Sequence, residues 1–215
     1  MDDSFFDPGA LRVKICGVTN AADAALVTDA GADAIGINFF PGSKRCVELH
    51  DVRDWVAELP LTRVAVVVNA TGDDIARIVD AACFDAIQFH GDETPDFCAE
   101  CPIVWIRALR VSGPESLTHA LEYATQSLLL DGFSTAGYGG TGTAVDIELA
   151  RDFVRWNPGR QVILAGGLKP DNVAKVAHLV KPHAVDVAGG VERDGDPRRK
   201  DAAKVRAFVA AAREA

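Results

Sequence analysis

A lysine and a cysteine share one face of the first strand-like segment, residues 13–17 (VKICG). Because side chains alternate between the two faces of a β-strand, Lys14 and Cys16 point the same way and the apolar residues point the other way. A cysteine is a poor base at neutral pH, but a nearby cation favours its thiolate. A buried lysine also needs an anionic partner, and the last strand-like segment offers Asp186 by the same alternation. The pattern predicts a Lys14–Asp186 pair beneath a reactive Cys16.

An aspartate, Asp131, ends the apolar run 127–131 and precedes a Gly- and Thr-rich stretch, residues 135–143, which we interpret as a mobile functional loop. Asp131 could also be a helix N-cap or a solvated loop acid, and only the first of these alternatives is weakened, because the stretch is too flexible for a helix. Burial disfavours the charged form of a carboxyl, so Asp131 could keep a proton to donate. A thiolate and a protonated carboxyl on opposite sides of one pocket suit acid–base chemistry on a sugar.

Two Ala-Gly-Gly turns could bind an anion through their backbone N–H groups, because glycine lets a phosphate approach the chain closely. The turns consist of Ala165, Gly166 and Gly167 after one strand-like segment, and of Ala188, Gly189 and Gly190 after the next. We expect them at the starts of the following helices, where the helix dipole also favours an anion. Arg45, in the polar stretch 41–47, is either a solvated surface charge or a bidentate partner for a substrate carboxylate.

Nothing in the sequence indicates a metal or an organic cofactor. There is no Walker-type Gly-Lys-Ser/Thr run and no well-formed GxGxxG motif after the first strand-like segment, which disfavours nucleotide binding. Cys98 and Cys101 form a C-x-x-C pair, but no second pair of ligands stands at the spacing of a zinc site. The five scattered cysteines suit a reducing compartment. We therefore interpret these two as ordinary, partly buried thiols rather than a redox or zinc pair.

The candidate residues fall at the ends of eight β-rich segments that alternate with amphipathic ones. The predicted strands are 13–16, 34–38, 63–68, 86–89, 103–109, 127–131, 161–165 and 184–188. The predicted helices are 21–30, 74–82, 115–124, 146–155, 172–180 and 201–214, with N-caps such as Asn20, Asp73 and Asp171. This alternation indicates a single (β/α)8 TIM barrel of the α/β class, with working residues at the carboxyl ends of its strands. An open doubly wound sheet is the alternative, and no composition break divides residues 1–215 into two domains.

The 215 residues include 22 basic and 31 acidic side chains, a formal net charge of −9, which argues against a nucleic-acid or anionic-membrane partner. Apolar residues make up 48% of the chain, enough for one sizeable core. No run approaches the roughly 18 apolar residues of a membrane span, and the acidic start MDDSFFDPGA lacks the order of a secretory signal. We expect a cytoplasmic protein, monomeric or homodimeric, whose partner is a small molecule.

Ten short motifs follow one another along nearly the whole chain. They are residues 14–20 (KICGVTN), 31–36 (GADAIG), 43–45 (SKR), 66–69 (VVVN), 88–93 (QFHGDE), 129–131 (LLD), 139–142 (GGTG), 164–168 (LAGGL), 185–187 (VDV) and 190–192 (GVE). In this order they resemble the phosphoribosylanthranilate isomerases of tryptophan biosynthesis. The resemblance implies a cofactor-independent Amadori rearrangement of N-(5-phosphoribosyl)anthranilate to 1-(2-carboxyphenylamino)-1-deoxyribulose 5-phosphate.

The resemblance also implies roles for the candidate residues. Asp131 matches the general acid that protonates the ring oxygen and opens the furanose to a Schiff base. Cys16 matches the general base that removes the C2 proton. Arg45 matches the residue that holds the anthranilate carboxylate, and the two glycine turns match the phosphate site. The remaining substrate-binding set comprises Lys14, Gln88, His90 and Asp186.

The chain departs from the family pattern at two places. The family usually has Ser-Ser-Gly after the last strand, where this chain has Ala188, Gly189 and Gly190. Residues 143–147 (TAVDI) replace the usual Phe-Asp-Trp ending with smaller side chains. A hydroxyl that contacts a phosphate contributes about 1–2 kcal/mol, so these departures bear on substrate affinity more than on the type of reaction.

Two other classes of protein would use the same barrel. Among phosphosugar enzymes, a histidine-pathway ribonucleotide isomerase would have an Asp in place of Cys16. A pentose-phosphate epimerase would need a metal-binding set of His and Asp, and an indole-glycerol-phosphate synthase is a further alternative. A non-catalytic scaffold would not need Cys16, Asp131 and Arg45 together.

Overall fold

Eight parallel strands close into a barrel in the computed structural model of the protein, which describes residues 5–132 and 145–215. In chain order they are β1 (Arg12–Cys16), β2 (Ala34–Asn38), β3 (Thr62–Val67), β4 (Ala86–Phe89), β5 (Val104–Val111), β6 (Ser127–Gly132), β7 (Gln161–Leu164) and β8 (Ala184–Val187). Each strand pairs with the next, and β8 pairs with β1. The predicted (β/α)8 barrel is confirmed, and the open doubly wound sheet is wrong.

Helices connect the strands on the outside of the barrel. In the described ranges they are α1 (Ala21–Asp29), α2 (Leu49–Ala57), α3 (Gly72–Asp80), α4 (Pro95–Ala99), α5 (Ile147–Trp156), α6 (Val173–Val180) and α7 (Ala202–Arg213). The predicted set lacked α2 and α4, and α4 spans too few residues for a helical period to show. A short hairpin of β9 (Glu192–Arg193) and β10 (Asp196–Lys200) follows β8. Within the described ranges, each helix is too short or too polar to cross a membrane.

The predicted helix 115–124 is wrong, because this segment forms two separate 3-10 turns, Pro114–Leu117 and Ala120–Glu122. The hydroxyls of Ser116 and Thr118 donate to backbone carbonyls three residues earlier. Such local side-chain bonds offer the backbone an alternative to a continuous helix. The connection between β5 and β6 is therefore the least helical of the described crossovers.

Side-chain capping fixes where five of the described helices begin, and two of these caps bear on the predicted ones. Asn20 caps α1 as predicted, accepting a hydrogen bond from the backbone N–H of Asp23 at 2.9 Å. The cap of α3 is Thr71 rather than the predicted Asp73. Thr71 accepts from the backbone N–H of Asp74, and the Asp74 carboxylate accepts from the backbone N–H of Thr71. This reciprocal capping box requires a three-residue spacing, so Asp73 falls inside the helix.

An N-terminal phenylalanine fills the amino-terminal end of the barrel. Phe5 is fully buried and belongs to one apolar cluster inside the barrel, together with small and branched side chains: Ala34, Val64, Ala86, Ile106, Ala108, Leu129, Ile163, Ala165 and Ala184. Its backbone carbonyl lies 2.8 Å from Nε2 of His183, and its backbone N–H donates to Thr62. Because this end is filled by apolar groups, the polar residues of the interior lie toward the opposite, carboxyl end.

The two cysteines of the C-x-x-C pair are free thiols at the end of α4. Cys98 is fully buried, and burial raises its pKa to about 12. Cys101 is half-buried, and burial raises the pKa of its thiol as well. The interpretation as ordinary thiols agrees with this environment, although Cys98 is more deeply buried than the sequence suggested.

Candidate active site

An open cavity lies at the carboxyl ends of the strands. Its walls contain nearly all of the residues predicted for the site: Cys16, Arg45, Gln88, His90, Asp131, Gly166, Gly167, Asp186, Ala188, Gly189 and Gly190. Lys14 is the one exception, since it is fully buried beneath the floor of the cavity.

Lys14 and Asp186 form the predicted ion pair. Their Cα atoms stand opposite each other in the register of β1 and β8, and Lys14 Nζ lies 2.8 Å from Asp186 Oδ1. Burial alone would lower the pKa of Lys14, but the attraction of Asp186 and Cys16 raises it. The ammonium therefore keeps its charge. The neighbouring residues Val13 and Ile15 pack in the layer outside the barrel, as the alternation predicted.

Cys16 lies at the end of β1, at the bottom of the cavity. Burial raises the pKa of its thiol, and the cations of Lys14, Lys200 and Arg45 offset only part of this increase. The sequence suggested that Lys14 would favour the thiolate, whereas removal from water has the larger effect here. The thiol therefore holds its proton at neutral pH in the ligand-free protein, and a thiolate formed there would face these cations.

Asp131 is the penultimate residue of β6, lies across the cavity and is buried. Its Oδ2 lies 3.4 Å from Nε2 of His90, and Nε2 of Gln88 lies 3.0 Å from Nδ1 of the same imidazole. An amide nitrogen can only donate, so the Gln88 contact makes Nδ1 the acceptor and places the imidazole proton on Nε2, facing Asp131. Within the described part of the chain, Gln88 Oε1 and His90 Nε2 have no hydrogen-bond partner. Both atoms are buried in the ligand-free protein.

Arg45 points toward the cavity from the connection between β2 and α2. It is bidentate to a carboxylate of the protein itself: Nε lies 2.5 Å from Oε1 of Glu192, and Nη2 lies 3.0 Å from Oε2. The alternative of a solvated surface charge is wrong, because the Arg45 side chain is 12% exposed. Its aliphatic stem crosses Gly17, where an added Cβ would overlap it. Gly17 therefore allows Arg45 to reach the cavity.

The two glycine turns lie against each other at one side of the cavity. Gly166 and Gly167 both have positive φ angles, 83° and 65°, and among the described residues their backbone N–H groups donate to no carbonyl. An added Cβ on Gly190 would overlap the carbonyl oxygen of Leu168. Only glycine at Gly190 therefore lets the second turn approach the first this closely.

The sequence suggested that the two turns lie at the starts of α-helices, and this prediction is wrong. The first precedes α6 by several residues, and Asn172 spans the gap by donating to the carbonyl of Gly167 and accepting from the backbone N–H of Lys169. The predicted cap Asp171 is displaced by Asn172, which immediately precedes α6. The second turn leads into a single 3-10 turn, Gly189–Val191. Anion binding here would thus rely on individual N–H groups.

Two residues of the site were not among the predicted ones. Glu192, which holds Arg45, follows the second glycine turn, and Lys200 lies 3.3 Å from Glu192 Oε1. In the sequence, Glu192 stands out only as part of the GVE motif. The predicted functional loop 135–143 and the motif 139–142 lie outside the described residues. Within residues 5–132 and 145–215, no cluster of three or more His, Cys, Asp or Glu side chains is arranged to hold a metal ion.

Comparison with known proteins gives one consistent result. The family model described as N-(5'phosphoribosyl)anthranilate (PRA) isomerase matches residues 13–211. N-(5'-phosphoribosyl)anthranilate isomerase of Pseudomonas aeruginosa (strain LESB58) is 44% identical over 208 residues, which cover 95% of this chain and 96% of that protein.

Solved structures agree. Phosphoribosyl anthranilate isomerase from Thermotoga maritima superposes with a TM-score of 0.85 at 36% identity, covering 95% of this chain and 100% of that one. A phosphoribosyl anthranilate isomerase in complex with reduced 1-(o-carboxyphenylamino)-1-deoxyribulose 5-phosphate has a TM-score of 0.81 at 34% identity, with the same coverage. On the fold, the site and these matches together, the chain belongs to the N-(5'-phosphoribosyl)anthranilate isomerase family.

Proposed function

We propose that this chain, over residues 1–215, isomerises N-(5-phosphoribosyl)anthranilate to 1-(2-carboxyphenylamino)-1-deoxyribulose 5-phosphate without a cofactor. The observation that carries the proposal is one cavity whose walls combine the Cys16 thiol, the Asp131 carboxyl and two exposed glycine turns. These groups supply a base, an acid and an anion site, which are the functions that an Amadori rearrangement of a phosphorylated aminosugar requires. The histidine-pathway alternative is disfavoured because a thiol occupies the position of the base.

Asp131 acts first in this mechanism. It donates its proton to the furanose ring oxygen, the bond between that oxygen and C1 breaks, and the nitrogen lone pair forms a protonated Schiff base with C1. The transfer leaves a carboxylate 3.4 Å from the Nε2–H of His90. A donor placed at a developing anion lowers its energy, so His90, oriented by Gln88, stabilises the deprotonated acid.

Cys16 acts second, as the base. Its thiolate removes the proton from C2, and the electrons of that C–H bond form the C1=C2 double bond while the iminium nitrogen recovers its lone pair. The resulting enolamine rearranges to the ketone without gain or loss of electrons. Lys14 stabilises the thiolate from below, and Asp186 keeps Lys14 charged. Both residues thus support the substrate site through Cys16.

Different protein groups bind the two ends of the substrate. Arg45 holds the anthranilate carboxylate, and the N–H groups of the turns at Gly166–Gly167 and Gly189–Gly190 hold the phosphate. Gln88 and His90 line the cavity beside Asp131 and complete the substrate-binding set. The substrate is then fixed at both ends with its reacting carbons over Cys16.

The decisive test is a fluorescence assay with the purified protein. We expect the fluorescence of the anthranilate ring to decay when protein is added to N-(5-phosphoribosyl)anthranilate. Excess inorganic phosphate should raise the apparent KM and leave kcat unchanged, because it competes with the substrate phosphate for the same N–H groups and saturating substrate displaces it. Chloride at matched ionic strength is the control. An absence of decay would refute the function, and decay that is insensitive to phosphate would refute the anion site.

A second expectation concerns the glycine opposite Cys16. Gly36 pairs with Cys16 in the register of β1 and β2, and an added Cβ would lie 2.7 Å from Cys16 Sγ and 3.1 Å from Lys14 Nζ. Gly36→Ala should displace the thiol, and a displacement of about 1 Å can reduce turnover about 10²-fold. The assay above measures kcat, with Gly72→Ala as control because an added Cβ there meets no neighbour within 4 Å. Equal kcat in both variants would contradict the placement of Cys16.

A further inference from the structure

Among the described residues, one edge of the Arg45 guanidinium binds a carboxylate and the other edge has no hydrogen-bond partner. Its Nε–H and one N–H of Nη2 are directed to the two carboxylate oxygens of Glu192. A guanidinium carries five N–H donors, so both protons of Nη1 and the second proton of Nη2 remain. One N–H of Nη1 and the second N–H of Nη2 form the second fork of the group, which suits another planar carboxylate. Glu192 therefore orients Arg45 without consuming its capacity to bind an anion.

Glu192 is itself held in place by the buried side chain of Lys200. Lys200 is 1% exposed, and its Nζ lies 3.3 Å from Glu192 Oε1 and 3.2 Å from the carbonyl of Ala188. The backbone N–H of Lys200 donates to Asp23 at 2.8 Å, which ties β10 to α1. Glu192 thus lies between two basic side chains, Arg45 and Lys200. Lys200 also binds the backbone carbonyl of Ala188, which begins the second glycine turn.

This arrangement places two basic side chains and one acidic side chain at the Arg45 end of the cavity, although burial lowers the pKa of Lys200. Two cations share the single carboxylate of Glu192, whereas Lys14 is matched by Asp186. A charge-assisted pair with low exposure holds its geometry better than a solvated one. The free fork of Arg45 is therefore both charged and fixed in direction before a ligand arrives.

We propose that Glu192, supported by Lys200, is a positioning residue that aims Arg45 at the anthranilate carboxylate and so sets the preference for a carboxylated substrate. The inference rests on the proposed function. It differs from the view that Glu192 blocks Arg45 and must be displaced by the substrate, because the free fork can accept a carboxylate while Glu192 stays bound.

The experiment compares two substrates in each variant. The first is N-(5-phosphoribosyl)anthranilate, and the second is N-(5-phosphoribosyl)aniline, which lacks the carboxylate. In Glu192→Gln we expect kcat/KM for the first substrate to fall about tenfold, mainly through KM, because a charge-assisted bidentate pair is lost. The value for the aniline substrate should change less than about twofold, since that substrate never uses Arg45.

The comparison between substrates also controls for misfolding, because a damaged barrel would lose both activities equally. Arg45→Lys provides a second test, because it keeps the positive charge but removes the planar fork. It should likewise lower kcat/KM for the anthranilate substrate and leave kcat/KM for the aniline substrate nearly unchanged. Glu48→Gln, an exposed change on the same connection, should alter neither value. Equal losses on both substrates, or tighter binding of the anthranilate substrate in Glu192→Gln, would overturn the inference. Failure of the wild-type protein to turn over either substrate would instead overturn the proposed function.

Discussion

Asp131→Asn should abolish turnover. An asparagine preserves the shape of the side chain and its distance from His90, but its amide has no proton to transfer to the ring oxygen at neutral pH. A positioned acid contributes about 10²–10⁴-fold to a rate, and we expect a loss at the upper end of that range. The reason is that ring opening comes first, so no later step can proceed without it.

The fluorescence assay measures this loss, and a binding experiment separates chemistry from affinity. The variant should still bind reduced 1-(o-carboxyphenylamino)-1-deoxyribulose 5-phosphate within about tenfold of the wild type, because the acid acts mainly in the transition state. Asp73→Asn, an equivalent change at an exposed position of α3, is the control and should be fully active. Turnover by Asp131→Asn at more than a tenth of the wild-type rate would contradict the assignment.

Much of the site could be predicted because a barrel has few geometric choices. Strand alternation put Lys14 and Cys16 on one face, and closure of the sheet makes the first and last strands neighbours. These two rules alone place Asp186 beside Lys14, as the 2.8 Å pair confirms. Asp131 followed from the same logic, since it ends an apolar strand at the functional rim.

Glu192 and Lys200 could not be found in this way. They lie in a hairpin of a two-residue and a five-residue strand, which interrupts the strand–helix alternation and is too short to leave a periodic pattern. The pair of Arg45 and Glu192 joins two connections that lie 147 residues apart in the chain. Neither connection has a geometry that the sequence specifies, so their contact depends on the complete fold.

The protonation state of Cys16 could not be predicted from the sequence either, for a different reason. The residue types correctly suggested a cation beneath the thiol, but the net effect depends on how far burial outweighs that cation. Three cations lie near Cys16 and still leave its pKa raised. Residue types give the sign of each contribution, whereas the balance between them requires the packed structure.

Cys16→Ser should reduce turnover about 10²–10⁴-fold, which is the range for loss of a general base. A serine hydroxyl keeps the size of the side chain but does not ionise in the accessible pH range, so the C2 proton has no acceptor. Ring opening by Asp131 is unaffected, and substrate should therefore still bind. Cys46→Ser, a change of a half-buried thiol outside the cavity walls, is the matched control and should retain full activity.

The pH profile gives a second and sharper test of Cys16. Because the pKa of the thiol is raised, mainly by burial, the wild-type protein should show kcat/KM increasing with pH through neutrality and beyond the ordinary thiol pKa of about 8.5. This alkaline increase should be absent in Cys16→Ser, since the titrating base is gone. In Lys14→Met it should move to higher pH, because loss of the cation beneath the thiolate raises the pKa of Cys16 further. An unchanged alkaline limb in Cys16→Ser would mean that another group removes the C2 proton, and Cys16 would then be only a small buried side chain at the end of β1.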